Sequence, residues 1–127
     1  MTRYMLDSTF LIDHLRGEAA AVARFREMNE TGDESIVTDI TAAELWSGRR
    51  RGSEHEIEMF LRSIEYVHPG PATARLAGTW RAQARESGRT LDLPDALIAA
   101  TAFDLEAAVL TRNVRDFALT PVRIETY

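Results

Sequence analysis

Four acidic residues stand where a carboxylate can do chemistry. Asp7 ends the apolar run Tyr4-Met5-Leu6, Glu44 closes Thr41-Ala42-Ala43-Glu44, Asp95 directly follows Pro94, and Asp116 lies three residues past Asn113. Brought within a few ångströms, such a set repels itself unless it is protonated or neutralised by a cation. Its oxygens are hard ligands, and with no imidazole or thiolate in the set they favour Mg²⁺ or Mn²⁺. Such ions keep several waters and work on phosphate esters, and a pair would stabilise both the attacking and the leaving oxygen of an in-line displacement. The chemistry expected of the four is metal-dependent hydrolysis of a phosphate ester or phosphodiester. Each acid also has an ordinary explanation. The unpaired N–H groups of a helix first turn attract Asp and Glu, Thr41 and Glu44 form a capping box, and Asp116 can pair with Asn113.

The four can meet only if the elements between them bring them to one edge. Short apolar or β-branched runs at 4–6, 35–38, 66–68, 108–111 and 122–124 read as strands. Helical spacing follows from Ser8-Thr9 onward, over 18–30, from Thr41 through Arg50, over 54–64, over 72–87 with Gly88 as its stop, and from Pro94 to Leu105. A short helical turn is expected over 113–117. Strands alternating with helices predict an α/β domain with a central, mostly parallel sheet flanked by helices. In such a sheet the strand-to-helix transitions share the carboxyl edge, where ligands bind. Chain order alone therefore allows four acids distant in sequence to converge.

Composition narrows the chemistry further. The 127 residues are 45% hydrophobic and 28% charged, enough for one ordinary domain spanning 1–127. Cysteine is absent, which excludes disulfides, thiolate metal sites and a catalytic thiol. With 15 basic against 20 acidic residues the net charge is −5, which argues against nucleic-acid binding over the whole surface but not against an acidic, cation-holding enzyme acting on nucleic acid. Every basic residue is Arg. Without lysine, Schiff-base and phosphate-loop mechanisms fall away. So does a receiver-type phosphotransfer domain, and a haloacid-dehalogenase-like phosphatase is further opposed by Thr9, which stands where that class wants a second Asp. No apolar run approaches the roughly 20 residues of a membrane span, and Met1–Asp7 lacks the apolar core of a signal peptide. A cytoplasmic protein is expected.

Four blocks occur in order: Leu6-Asp7-Ser8-Thr9-Phe10-Leu11-Ile12, Thr41-Ala42-Ala43-Glu44-Leu45, Asp95-Ala96-Leu97-Ile98-Ala99-Ala100-Thr101-Ala102, and Leu110-Thr111-Arg112-Asn113-Val114-Arg115-Asp116-Phe117. Together they resemble the PIN-domain ribonucleases, specifically the VapC-type toxins of bacterial toxin–antitoxin pairs. The resemblance implies a single PIN-like domain that cleaves RNA endonucleolytically, leaving 5′-phosphate and 3′-hydroxyl ends. It implies that Asp7, Glu44, Asp95 and Asp116 hold Mg²⁺ or Mn²⁺. Asp7 and Asp95 are expected as direct ligands, with Glu44 and Asp116 binding directly or through water. Thr9 matches a small polar residue that hydrogen-bonds a ligand, and Asn113 matches one that orients Asp116 or a bound water. A homodimer and a cognate VapB-type antitoxin that occupies the active-site groove are further implications. Ser8-Thr9 reverses the family's commoner Thr-Ser order, and both are hydroxyls.

The remaining singular residues keep two readings each. Asp92 is either the N-cap of the helix carrying Asp95 or a fifth carboxylate of the site. Arg49, Arg50 and Arg51 either serve a helix C-terminus or bind RNA phosphates, and Arg112 and Arg115 are candidates for the same contacts. Trp46 and Trp80 are expected in the core or an interface, and His14, His55 and His68 on the surface. A PIN-like module acting only through protein contact is the alternative function, opposed by the presence of all four acids.

Overall fold

The apolar run after Arg3 forms the first strand, β1 (Arg3–Leu6), in a computed structural model describing residues 1–127. α1 (Ser8–Leu15) and α2 (Ala19–Thr31) follow, then β2 (Glu34–Thr38), α3 (Asp39–Ser47), α4 (Glu54–Arg62) and β3 (Glu65–Val67). The second half runs through α5 (Pro71–Glu86), α6 (Leu93–Asp104), β4 (Ala108–Leu110), α7 (Val114–Phe117) and β5 (Ile124–Glu125). The strands make one sheet in the order β3-β2-β1-β4-β5. Every pairing is parallel, with Tyr4 opposite Ser35 and Ala108, and Leu6 opposite Leu110. The expected fold class holds. The chain turns to opposite sides of the sheet from β1, so the strand order reverses at the centre, the place where such sheets open a crevice at their carboxyl ends.

Alternation along the central strands divides the core into two layers. Met5, Ile36 and Val109 face one layer with Ala77, Trp80, Ala96, Ile98 and Phe117. Tyr4, Leu6, Val37, Ala108 and Leu110 face the other with Phe10, Leu11, Met28, Leu45, Ile57 and Phe60. Successive side chains in a strand point to opposite faces, so a run such as Tyr4-Met5-Leu6 is buried on both. Trp80 is buried edge-on to Phe103, with ring centroids 5.5 Å apart, and Trp46 packs against the second layer. Both tryptophans serve the core.

Two helix boundaries differ from expectation in ways that bear on the site. α3 begins at Asp39, because the buried Thr38 hydroxyl accepts the Thr41 N–H at 3.4 Å. The Thr41–Glu44 capping box is therefore not formed, and Glu44 lies in the second turn. α3 also stops at Ser47 before Gly48, so Arg49, Arg50 and Arg51 lie beyond the helix. The stop of α5 is as expected: Gly88 adopts φ +72°, and the Arg89 N–H folds back onto the Ala84 carbonyl at 2.9 Å.

Candidate active site

Asp7 follows the last residue of the central strand and occupies the N-cap position of α1, yet its side chain makes no capping bond. It is buried, and its Oδ2 accepts from the Thr111 hydroxyl at 2.8 Å and the Thr9 hydroxyl at 3.2 Å. The two hydroxyls lie 3.3 Å apart. Pairing of β1 with β4, with Leu6 opposite Leu110, is what sets Thr111 beside Asp7. Burial raises the Asp7 pKa, and these hydroxyls together with the Ser8 and Thr9 N–H groups pull it back down. Oδ1 has no side-chain partner.

The other acids arrive at the same edge from separate elements. Glu44 comes from α3, freed from capping, and its pKa is raised by partial burial and then by the charge of Asp7. Asp95 stands in the first turn of α6. That helix follows α5 rather than a strand, but it leads into β4 and so runs against the strand direction, which puts its N-terminus at the carboxyl edge. Asp95 is half-buried, and its pKa is pushed up to about 7 by burial and then by the charges of Asp116, Asp7, Asp92 and Glu44. That single group thus feels every acid singled out from the sequence. Asp116 is exposed in α7, its N–H donating to the Asn113 carbonyl at 3.1 Å. The Asn113 side chain makes no capping bond, so the link to Asp116 is through backbone alone. Asp92 holds the N-cap position of α6 without a capping bond, which leaves its carboxylate to add to the field on Asp95.

Asp95 and Asp116 do take first-turn positions, but the capping box at Glu44 and the side-chain pairing of Asn113 with Asp116 are not formed, which leaves the carboxylates open to one another's charge. They do not close into a ready cage: no three acidic or histidine side chains stand close enough to hold one ion. What the acids share is charge, felt together at Asp95. Like charges without a counter-ion hold apart, and an ion that keeps several of its waters does not require every carboxylate at direct range. The donor chemistry, all hard oxygen with a raised pKa at the centre, fits a divalent cation.

The arginines divide. Arg112 donates from one guanidinium nitrogen to both oxygens of buried Asp13, at 2.9 and 2.8 Å, and its N–H donates to the Thr9 hydroxyl at 3.2 Å. The Tyr127 hydroxyl completes that cluster with 2.7 Å to Asp13. Arg112 is therefore a brace between the end of β4 and α1. Arg49 donates to the Trp46 carbonyl at 2.8 Å, serving the end of α3, and lies 3.8 Å from Glu54. Arg50, Arg51 and Arg115 are exposed and form no ion pair. His14 corrects the surface reading. It is stacked on Phe60 with centroids 4.5 Å apart and meets Phe25 edge-on at 4.8 Å, and burial lowers its pKa. Its place four residues after Phe10 on one helix was the available signal. Asp13 and Thr111 were missed, because neither stands out without the pairing that gives it partners.

Residues 4–121 match the family model of the PIN domain. The chain belongs to the PIN-domain family. Within it the chain is of the VapC type: it is 35% identical over 117 residues to ribonuclease VapC19 of Mycobacterium tuberculosis, covering 92% of this chain and 94% of that one. Ribonuclease VapC10 of the same organism is 33% identical over 115 residues, covering 91% and 86%. VapBC2 of Rickettsia felis, solved on a promoter DNA fragment, superposes with a TM-score of 0.87 at 20% identity, covering 99% of each chain. DNA-bound VapBC of Salmonella typhimurium gives 0.85 at 25% identity, covering 99% of this chain and 98% of that one. In this PIN domain Asp7 follows β1, the strand at which the order of the sheet reverses. No helix is long and apolar enough to cross a membrane.

Proposed function

We propose that this PIN domain is an Mg²⁺- or Mn²⁺-dependent endoribonuclease toxin, silenced by a cognate VapB-type antitoxin and active as a homodimer. The observation that carries the reading is the meeting of the acids at Asp95, a carboxyl pushed up to about 7 by burial first and then by the charges of Asp116, Asp7, Asp92 and Glu44. The VapC ribonucleases at 35% and 33% identity and the VapBC complexes of like fold support the substrate class and the partner.

Asp7 and Asp95 would hold the cation directly, and Glu44 and Asp116 would serve it directly or through water. When bound, the ion makes water a better nucleophile and stabilises charge on the phosphate and the departing 3′-oxygen. Thr111 and Thr9 fix Oδ2 of Asp7 so that the carboxylate stays oriented as its charge is used. Glu44, with its pKa raised, suits the acceptor of the proton lost by the attacking water. Water adds to phosphorus as the P–O3′ bond breaks, its proton passing to Glu44 and the departing 3′-oxygen taking one from solvent, which leaves a 5′-phosphate and a 3′-hydroxyl. Asn113 orients Asp116 through the backbone turn, and Arg50, Arg51 and Arg115 supply phosphate contacts. An apolar cleft of about 120 Å³ among Ile12, Leu15, Leu45 and Ile57, rimmed by Arg49 and Arg50, suits an apolar side chain of the antitoxin.

Purified chain incubated with total RNA, with and without Mg²⁺ or Mn²⁺ and beside Asp7→Asn, tests the reading. Discrete, metal-dependent cuts are expected, reduced about a hundredfold or more in the variant. Full activity in a folded Asp7→Asn chain overturns the assignment, and silence of the wild type across RNA pools favours a module that acts by protein contact alone.

A further inference from the structure

Arg81, Arg85 and Arg89 line a cleft of about 60 Å³ whose remaining wall is Thr90 and Leu91. Arg81 and Arg85 are four apart on α5 and share a face. Arg89 joins them because the Gly88 turn folds the chain back over the helix end. None of the three forms an ion pair, although Glu86 lies on the same helix. The helix dipole favours Arg85 in the last turn, but capping of the last carbonyls is done by the backbone rather than by these side chains. The Ser87, Gly88 and Arg89 N–H groups already take the carbonyls of Gln83, Ala84 and Arg85. Arg81 gives its Nε to the Leu91 carbonyl at 2.9 Å, and Arg85 and Arg89 are exposed without a side-chain partner.

Position decides what the cleft meets. Leu91 is followed at once by Asp92 and then by Asp95, so the cleft sits on the segment that delivers the site's central carboxylate. In a chain of net charge −5, a strand of phosphates reaching the acidic edge needs local positive charge beside it. Guanidinium groups match phosphate oxygens in geometry as well as sign, and a concavity this small admits one compact anion rather than a helix face.

Resting on the nuclease reading above, we propose that Arg81, Arg85 and Arg89 form a phosphate-binding subsite for single-stranded RNA, holding the backbone to one side of the scissile bond. The test uses the full chain with Asp7→Asn, so that RNA is bound and not cut. Binding of a fluorescent single-stranded RNA of mixed sequence is followed by anisotropy over a NaCl series at fixed Mg²⁺. Adding Arg85→Gln and Arg89→Gln should weaken binding and lower the slope of log affinity against log salt by about 1.4, the value for two contacts at about 0.7 each. The Arg85→Lys, Arg89→Lys pair, which keeps both charges, should retain the slope. Unchanged affinity and slope in the folded glutamine variant overturn the subsite, as does an equal loss in the lysine pair. Loss of binding to an acidic antitoxin peptide with RNA binding intact also overturns it, reassigning the cleft to that partner. If the Asp7→Asn chain binds no RNA and the wild type cuts none, it is the nuclease reading that has failed, and the subsite falls with it.

Discussion

Thr111 shows how much a single hydroxyl contributes to this site. It is fully buried, donates to Asp7 Oδ2 at 2.8 Å and accepts the Asn113 N–H at 2.9 Å, linking Asp7 to the turn that carries Asp116. Thr111→Val keeps the shape and removes both bonds. Burying a carboxylate and an N–H with partners lost costs about 1–3 kcal/mol each, so urea unfolding should show a clear loss of stability. Affinity for Mn²⁺ should fall about 10–100-fold, as when a ligand loses its orienting partner, measurable by titration calorimetry. Unchanged metal affinity would separate Thr111 from the site. In the sequence Thr111 is only the end of a strand. Thr9 was legible because it is two residues from Asp7, whereas Thr111 is reached across the sheet.

At the scale of elements, α1 and the end of β4 are tied by Arg112 on Asp13. Asp13 is 4% exposed, so the charge left behind by Arg112→Met has little water to turn to. A loss of about 2 kcal/mol is expected, in the range for hydrogen bonds to charged groups, with RNA cleavage lowered through displacement of Thr9. A thermal midpoint equal to wild type would show the brace to be idle. α5 and α6 lie close because small residues line their shared layer, Ala77, Ala96, Ala99 and Ala100 all being fully buried. Ala77→Leu should cost about 1–3 kcal/mol by overpacking, seen as an earlier denaturation midpoint with the sheet intact. The extents of these two helices were legible from Gly88 and Pro94. The start of α3 was not, since Thr38 and Thr41 are both good capping residues, and burial of the Thr38 hydroxyl at the end of β2 chose between them.

For the whole molecule, the acidic edge sets stability against pH and cations. In cation-free protein the folded state holds the Asp95 proton up to about pH 7, well above its ordinary value of 3.8. Folded chain therefore binds more protons than unfolded chain between those values, so this contribution grows as pH falls and is lost as pH rises through about 7. Asp7 and Glu44 shift in the same direction, while half-buried His14 opposes them below its ordinary value of 6.5. The informative comparison is the difference between wild type and Asp95→Asn. In EDTA the Asn variant should be the more stable at pH 8, with its advantage shrinking toward pH 5 as the wild-type carboxyl takes up its proton. Mg²⁺ at pH 8 should raise the thermal midpoint of the wild type more than that of the variant. A difference constant across pH, or equal responses to Mg²⁺, would remove Asp95 from the centre of the charge cluster. Homodimer formation is read as twice 14.3 kDa by light scattering.

The α/β class, the order of the elements and the four acids were all present in the linear chain, because period, turn residues and carboxylates near helix starts are local properties that neighbours along the sequence express. Folding decided what those residues do. The parallel pairing of β1 with β4 gives Asp7 its Thr111, and the run of α6 against the strands carries Asp95 to the same edge. The Arg112–Asp13 contact turns a candidate phosphate ligand into a brace, and the Gly88 turn gathers three arginines about one cleft at the end of α5. Each of these joins groups that are distant in sequence or face one another only across a turn, and charge and hydrogen bonding act over distances in space that no spacing along the chain encodes.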